Sequence, residues 1–145
     1  MASNPDIKTL TRLHIPLLMR MRGFISLRDV APQSLTSQQV MAILLVARHP
    51  DVSVSELARK SKVTHGTMVV AIQKLVSKRL LNKRPDPQDG RSVLLSLSAK
   101  GKEIPVGIHK EMQRRYRALC ETLPQATVSR LVSSMEFILE TLSHE

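Results

Sequence analysis

Three helix starts follow one another between residues 36 and 67, and their spacing constrains the fold more than any other feature. Thr36-Ser37-Gln38-Gln39 is a capping box: the Thr hydroxyl can accept from the third amide of the helix while Gln39 reaches back to the Thr amide. Leu35 and Val40 stand where a hydrophobic staple closes such a turn. Ser53-Val54-Ser55-Glu56 repeats the pattern, with Val52 and Leu57 as the staple. Thr64 opens a third helix between Val63 and Met68, although Thr67 replaces the usual acid or amide.

The spacing predicts a helix over 36–48, with Val40, Ile43, Leu44 and Ala47 on its inner face, ending at His49-Pro50. A two-turn helix over 53–60 turns Leu57 and Ala58 inward. The connection 61–64 then leads to a helix ending near Lys78, in which Met68, Ala71, Ile72 and Leu75 recur at helical spacing. A short helix, a tight connection and a second helix with a full apolar stripe describe a helix-turn-helix.

Beyond Lys78 the period shortens. Residues 81–84 and 92–97 read as two strands, with Leu94 interrupting strict alternation in the second. Between them lies Pro85-Asp86-Pro87-Gln88-Asp89-Gly90-Arg91, dense in turn formers. Two strands joined by a protruding, basic-tipped turn make a wing. The expected fold is therefore mainly α with a small β-wing: a winged helix-turn-helix over 36–97, flanked by a helical dimerisation region over 1–35 and 98–145.

Charge placement suggests what such a head would touch. Residues 53–102 hold eleven Lys and Arg against Glu56, Asp86 and Asp89, so this third of the chain carries +8 of the total +10. That is an electrostatic footprint for a polyanion, with a solvated basic surface as the plainer alternative. Phe24, Tyr116 and Phe137 are the only aromatic residues and all lie outside the basic segment. Single-strand binders need aromatic faces for bases to stack on, so duplex DNA fits better.

In a helix-turn-helix the second helix enters the major groove and its N-terminal residues meet base edges. With the apolar stripe inward, the outward positions are His65, Gly66, Thr67, Val69, Val70, Gln73 and Lys74. His65, Thr67 and Gln73 carry hydrogen-bonding groups for base edges, and Val69 or Val70 suits a thymine methyl. Gly66 permits close backbone approach. At the wing, Arg91 has the chemistry to enter a narrow minor groove, where the potential is most negative. Asp89 is expected to orient Arg91 or another basic residue and to shape the turn with Gly90. Lys62, Lys74, Lys78, Lys83 and Arg84 are expected phosphate contacts, contributing salt-dependent affinity without sequence information.

The ends of the chain read as helices. Leu10, Leu13, Leu17, Met21 and Phe24 form a stripe over 6–29, with a kink expected at Pro16. Ile104, Ile108, Met112, Leu119 and Leu123 form another over 98–122, weakened at Pro105 and Gly107. Pro124 suits the first position of a last helix carrying Val128, Leu131, Met135, Ile138 and Leu142. These stripes exceed what a small head can cover. A two-fold dimer would bury them, and an intramolecular bundle is the alternative.

Other classes find less support. The sequence has no glycine-rich phosphate loop, His-Glu-x-x-His, Cys-x-x-Cys or nucleophile elbow, so no enzyme is expected. His109 and Cys120 lie eleven residues apart on one helix, about 16 Å along its axis, too far to share a metal ion. No cofactor is implied. Cys120, beside Arg115 and Arg117, is a candidate redox switch or simply a packed thiol. The single cysteine, with no signal-peptide pattern and no apolar run beyond residues 40–47, leads us to expect a cytoplasmic protein without membrane contact. A winged helix used for protein contact is a further reading, which the +8 segment disfavours.

Residues 35–103 resemble the MarR (multiple antibiotic resistance regulator) family. The likeness is carried by Leu35-Thr36-x-x-Gln39, by Ser55-Glu56-Leu57-Ala58 and by the run 63–75. Most specific is Asp86-Pro87-Gln88-Asp89-Gly90-Arg91, followed by residues 93–97 and Ser98-Ala99-Lys100-Gly101. The resemblance implies a triangular homodimer with interleaved terminal helices, bound to a palindromic operator near promoters; a repressor is expected, with an activator as the alternative. It also implies release by a small aromatic or lipophilic ligand, or by thiol oxidation. It places an effector pocket near Met19, Met41 and Tyr116. The chain departs from the pattern at Arg79, where glycine is frequent, at Val69 and Val70, where polar or basic residues are frequent, and at Ser98, which replaces threonine.

Overall fold

The computed structural model describes residues 4–24, 31, 32 and 34–143. Contacts divide the chain into two units, Met1–Lys110 and Glu111–Glu145.

In the first unit, α1 runs Asn4–Phe24, α2 Ser37–Arg48, α3 Val54–Lys60 and α4 His65–Ser77. The strands are β1 Val52–Ser53, β2 Leu81–Pro85 and β3 Val93–Leu97, and α5, Ala99–Cys120, begins here. The second unit holds the end of α5 and α6, Gln125–Ser143. Helix α1 continues through Pro16 and α5 through Pro105. Residues 25–30 and the side chains of Leu17, Met21 and Phe24, part of the expected first stripe, lie outside what is described.

The helix starts follow side-chain chemistry. Thr36 Oγ1 accepts from the Gln39 amide (3.3 Å) and Gln39 Oε1 accepts from the Thr36 amide (3.1 Å), a complete capping box. Ser53 Oγ accepts from the Glu56 amide (3.2 Å), but only this half of the second expected box forms. Glu56 lies instead 3.9 Å from Arg59, and Ser53 is also the last residue of β1. Thr64 Oγ1 accepts from the Thr67 amide (3.2 Å), and the two threonine hydroxyls lie 2.8 Å apart. The Thr67 hydroxyl thus meets the Thr64 side chain, not the backbone amide that a carboxylate would reach. Pro124 falls just before α6 rather than inside its first turn, its carbonyl accepting from the amides of Thr127 and Val128.

The core of the head is built from one face of each helix. In α4, Met68, Ala71, Ile72 and Leu75 are all buried, as their spacing requires, against α2, α3 and β2. Each large apolar side chain so buried stabilises the fold by roughly 1.5–3 kcal/mol, and truncation such as Leu75→Ala costs about 2–5 kcal/mol. The inner face of α2 differs from expectation. Gln39, Val40, Ala42, Ile43 and Val46 are buried, Leu44 is half-buried and Ala47 is exposed. The face is rotated because α2 packs against both α4 and β3, so two adjacent strips of the helix are covered.

The sheet has three strands rather than the two expected, antiparallel in the order β1-β3-β2. Val52 pairs with Leu95 and Ser53 with Leu94, while β2 pairs with β3 from Leu81↔Leu97 to Pro85↔Val93. Leu81, Leu95 and Val52 are buried and anchor the base of the hairpin. Ser98 closes the head. Its hydroxyl accepts from the Gly101 amide (2.9 Å) and donates to the Arg79 carbonyl (2.7 Å), so serine serves as well as threonine in starting α5.

The terminal helices leave apolar surface uncovered. Ile7, Leu10, Leu13, Ile15 and Met19 are exposed on α1, as are Leu131, Met135, Ile138 and Leu142 on α6. None of the helices among the described residues is long and apolar enough to cross a membrane.

Candidate nucleic-acid interface

Because α4 buries its apolar stripe, the opposite face is fixed by helical geometry. His65, Gly66, Thr67, Val70, Gln73 and Lys74 are exposed together. Val69 was expected among them but is half-buried, since it stands next to Met68 at the edge of the buried stripe. Val70, 51% exposed, is the apolar residue that this face presents. His65 Nδ1 lies 3.4 Å from Ser55 Oγ on α3, which ties the start of α4 to the preceding helix. A Cβ on Gly66 would meet nothing within 4 Å, so its lack of a side chain answers no need within the chain itself.

The wing turn is held by its own carboxylates. Asp86 Oδ1 accepts from the Gln88 amide (2.9 Å), and Asp89 Oδ1 accepts from the Arg91 amide (3.0 Å). The Asp86 amide donates to the Ser92 carbonyl and the Ser92 amide to the Asp89 carbonyl. Asp89 thus acts on the Arg91 backbone. Among the described residues no carboxylate pairs with the Arg91 guanidinium, which stands exposed at the tip of the turn. Gly90 has neither positive φ nor a crowded Cβ position, so the turn does not depend on its conformational freedom.

Lys62, Lys74, Lys78 and Lys83 are all exposed. Lys62 occupies the helix-turn-helix connection with φ of 53°, and Arg79, just after α4, has φ of 59°. Both are left-handed positions that glycine adopts without steric cost. Arg84 is differently placed from the other cations: its Nε donates to Asp51 Oδ1 and its Nη2 lies against Asp51 Oδ2, both at 3.1 Å. This fork, by hydrogen bonding and by charge, pushes the Arg84 pKa above its ordinary value. Arg84 is thus committed to a protein carboxylate. Sequence reasoning did not single out Asp51, since its partner lies 33 residues away.

Met19 and Met41, two of the expected effector residues, do not line a cavity found in the first unit. That cavity, about 590 Å³, is lined by Leu35, Leu80, Ile104 and Ile108, with Lys78, Lys100 and Glu103 also at its wall. Met19 and Met41 are exposed, and Tyr116, in the second unit, is half-buried. Cys120 is a half-buried free thiol. No cluster of three or more potential metal ligands occurs among the described residues.

A short helix, a tight turn, a second helix buried along one stripe and a hairpin with a basic tip define a winged helix-turn-helix protein. Residues 33–92 match the model of the MarR family, to which this segment is similar. Solved structures share the fold over nearly the whole chain. RV1404 from Mycobacterium tuberculosis superposes with a TM-score of 0.80 at 18% identity, covering 99% of this chain and 97% of that one. Apo MarR from E. coli gives 0.71 at 22% identity, over 90% and 96%. The PcaV transcriptional regulator from Streptomyces coelicolor, in complex with its natural ligand, gives 0.62 at 18% identity, over 97% and 98%. No curated protein sequence matches the chain.

Proposed function

We propose that this protein is a homodimeric repressor that binds a palindromic operator in duplex DNA. Recognition helix 64–78 lies in the major groove and wing 85–92 in the flanking minor groove. The reading is carried by one observation: the exposed face of α4 and the exposed guanidinium of Arg91 belong to the same basic, aromatic-free segment. His65, Thr67 and Gln73 offer hydrogen bonds to base edges, Val70 with half-buried Val69 at its side offers apolar contact, and Gly66 lets phosphate or base approach the start of the helix. Lys62, Lys74, Lys78 and Lys83 meet phosphates. Arg84 contributes to the field but is held by Asp51.

Residues 36–97 form the reading head, and 1–35 with 98–145 the dimerisation region. The exposed apolar faces of α1 and α6 support a second copy as their cover. A palindrome then follows from the two-fold axis, with half-sites about 34–36 Å apart. Relief of repression by a small lipophilic or aromatic ligand completes the proposal, supported by the bound ligand of the similar PcaV structure. Met19, Met41 and Tyr116 are the proposed contacts, and Cys120 an oxidation site. The protein would act in the cytoplasm, without enzymatic activity or membrane contact.

Selection from a randomised duplex pool, followed by footprinting, tests this reading. A palindromic consensus, protected over two adjacent turns and competed by duplex rather than single strands, is the expected result. Enrichment of no duplex, or salt-insensitive binding, would contradict it.

A further inference from the structure

The base of the wing hairpin is fixed in the core by Leu81 and Leu95, but beyond the Lys83↔Leu95 row its residues are exposed or half-buried. Below the turn, the strands are tied by the side-chain fork between Asp51 and Arg84, one step from the Pro85↔Val93 end. It joins the two edges of the sheet. Arg84, Leu94 and Ser53 form one row across β2, β3 and β1, and Asp51 immediately precedes β1. Asp51 is itself fixed to the central strand, its amide donating to the Leu95 carbonyl at 3.0 Å.

Two features need explaining. Asp51 has φ of 61°, a left-handed conformation in which glycine would be relaxed. Its carboxylate also stands beside a basic surface where a negative charge opposes polyanion binding. Stability is a weak reason for either, because a half-exposed ion pair contributes little. Backbone strain held at one position is a mark of a constraint imposed by function.

We infer that Asp51 is a positioning residue for duplex binding. Acting through Arg84, it fixes the angle at which the wing leaves the head, so that Arg91 reaches one groove while α4 occupies the next. The inference rests on the reading of α4 and the wing as the duplex-binding surface. Its consequence runs against simple electrostatics. Removing a carboxylate raises the net charge of the protein by one, which by long-range attraction tightens binding to any duplex. Loss of positioning weakens binding to the chosen sequence.

The test compares wild type with Asp51→Asn and Asp51→Gly on two probes: a duplex that wild type selects from a randomised pool, and a duplex of scrambled sequence. Affinity for the selected duplex should fall by about fivefold or more in both variants, with scrambled-duplex affinity unchanged or raised. Hydroxyl-radical protection should be lost at the flanking minor grooves and kept in the central major-groove region. Asp51→Gly relaxes the left-handed backbone, so its melting midpoint should not fall, which separates positioning from a folding defect. Arg84→Gln should reproduce the loss on the selected duplex. Selected-duplex affinity and protection equal to wild type in Asp51→Gly would overturn the inference and leave the duplex-binding reading intact. Failure of wild type to select any duplex would overturn both.

Discussion

Gly101 lies directly against the carbonyl of Leu80: a Cβ at position 101 would collide with that oxygen. The same carbonyl accepts from the Ser98 amide at 3.1 Å, so the residue just before β2 and the first turn of α5 are packed backbone to backbone. Gly101→Ala must displace main chain on one side or the other, since no side chain can rotate away. We expect a loss of about 1–3 kcal/mol in denaturant unfolding, the range for overpacking a close contact. A second-site change could not relieve it without moving α5.

Arg79 and Lys62 hold left-handed backbone that costs non-glycine residues about 1–2 kcal/mol. Glycine removes that cost but adds roughly 0.5–1 kcal/mol of chain entropy. Arg79→Gly and Lys62→Gly should therefore each stabilise by about 0.5–1 kcal/mol in equilibrium unfolding. Lys62→Gly should in addition lower duplex affinity uniformly across sequences and reduce the salt slope by about 1, as expected for one lost phosphate contact.

Local chemistry explains why the head was legible from sequence. Thr36, Ser53 and Thr64 cap their helices as their spacing requires, and the stripe from Met68 to Leu75 is buried at every position. What escaped was non-local. β1 is two residues long and exists only because Val52 and Ser53 meet Leu95 and Leu94, some forty residues on. The α2 face shifted because β3 covers a strip that no pattern within α2 reveals. At the candidate interface, the exposure of Arg91 and of the polar positions of α4 follows from element positions. The diversion of Arg84 to Asp51 does not, because an ion pair between distant residues leaves no periodic signal.

Glu111 receives hydrogen bonds from Arg114 Nε and Nη2 (2.8 and 2.7 Å) and from Arg115 Nε (2.9 Å). These bonds lower its pKa from 4.5 to about 2. A depressed carboxyl stabilises the folded form above its unfolded pKa and loses that contribution as pH falls through the folded value. The stability difference between wild type and Glu111→Gln should be constant above pH about 5 and shrink toward zero as pH falls through about 2. A difference independent of pH across that window would show that the charge of Glu111 contributes nothing.

Burial of the apolar face of α6 against a second copy predicts a particle of twice 16.2 kDa in sedimentation. Ile138, 54% exposed, lies on that face. Ile138→Glu would place a charge in the proposed dimer interface and should shift the protein toward monomer, with affinity for the proposed operator lost alongside because both half-sites are no longer held together.

Arg91 tests the account most directly, since the wing reading depends on a guanidinium that Asp89 positions only through its backbone. A gel shift of wild type and Arg91→Ala at moderate salt, on the duplex that wild type selects, is the measurement. The account predicts at least about tenfold weaker binding by Arg91→Ala, roughly 1.4 kcal/mol, with the dimer intact by sedimentation. Equal affinity of the two proteins for that duplex would contradict it.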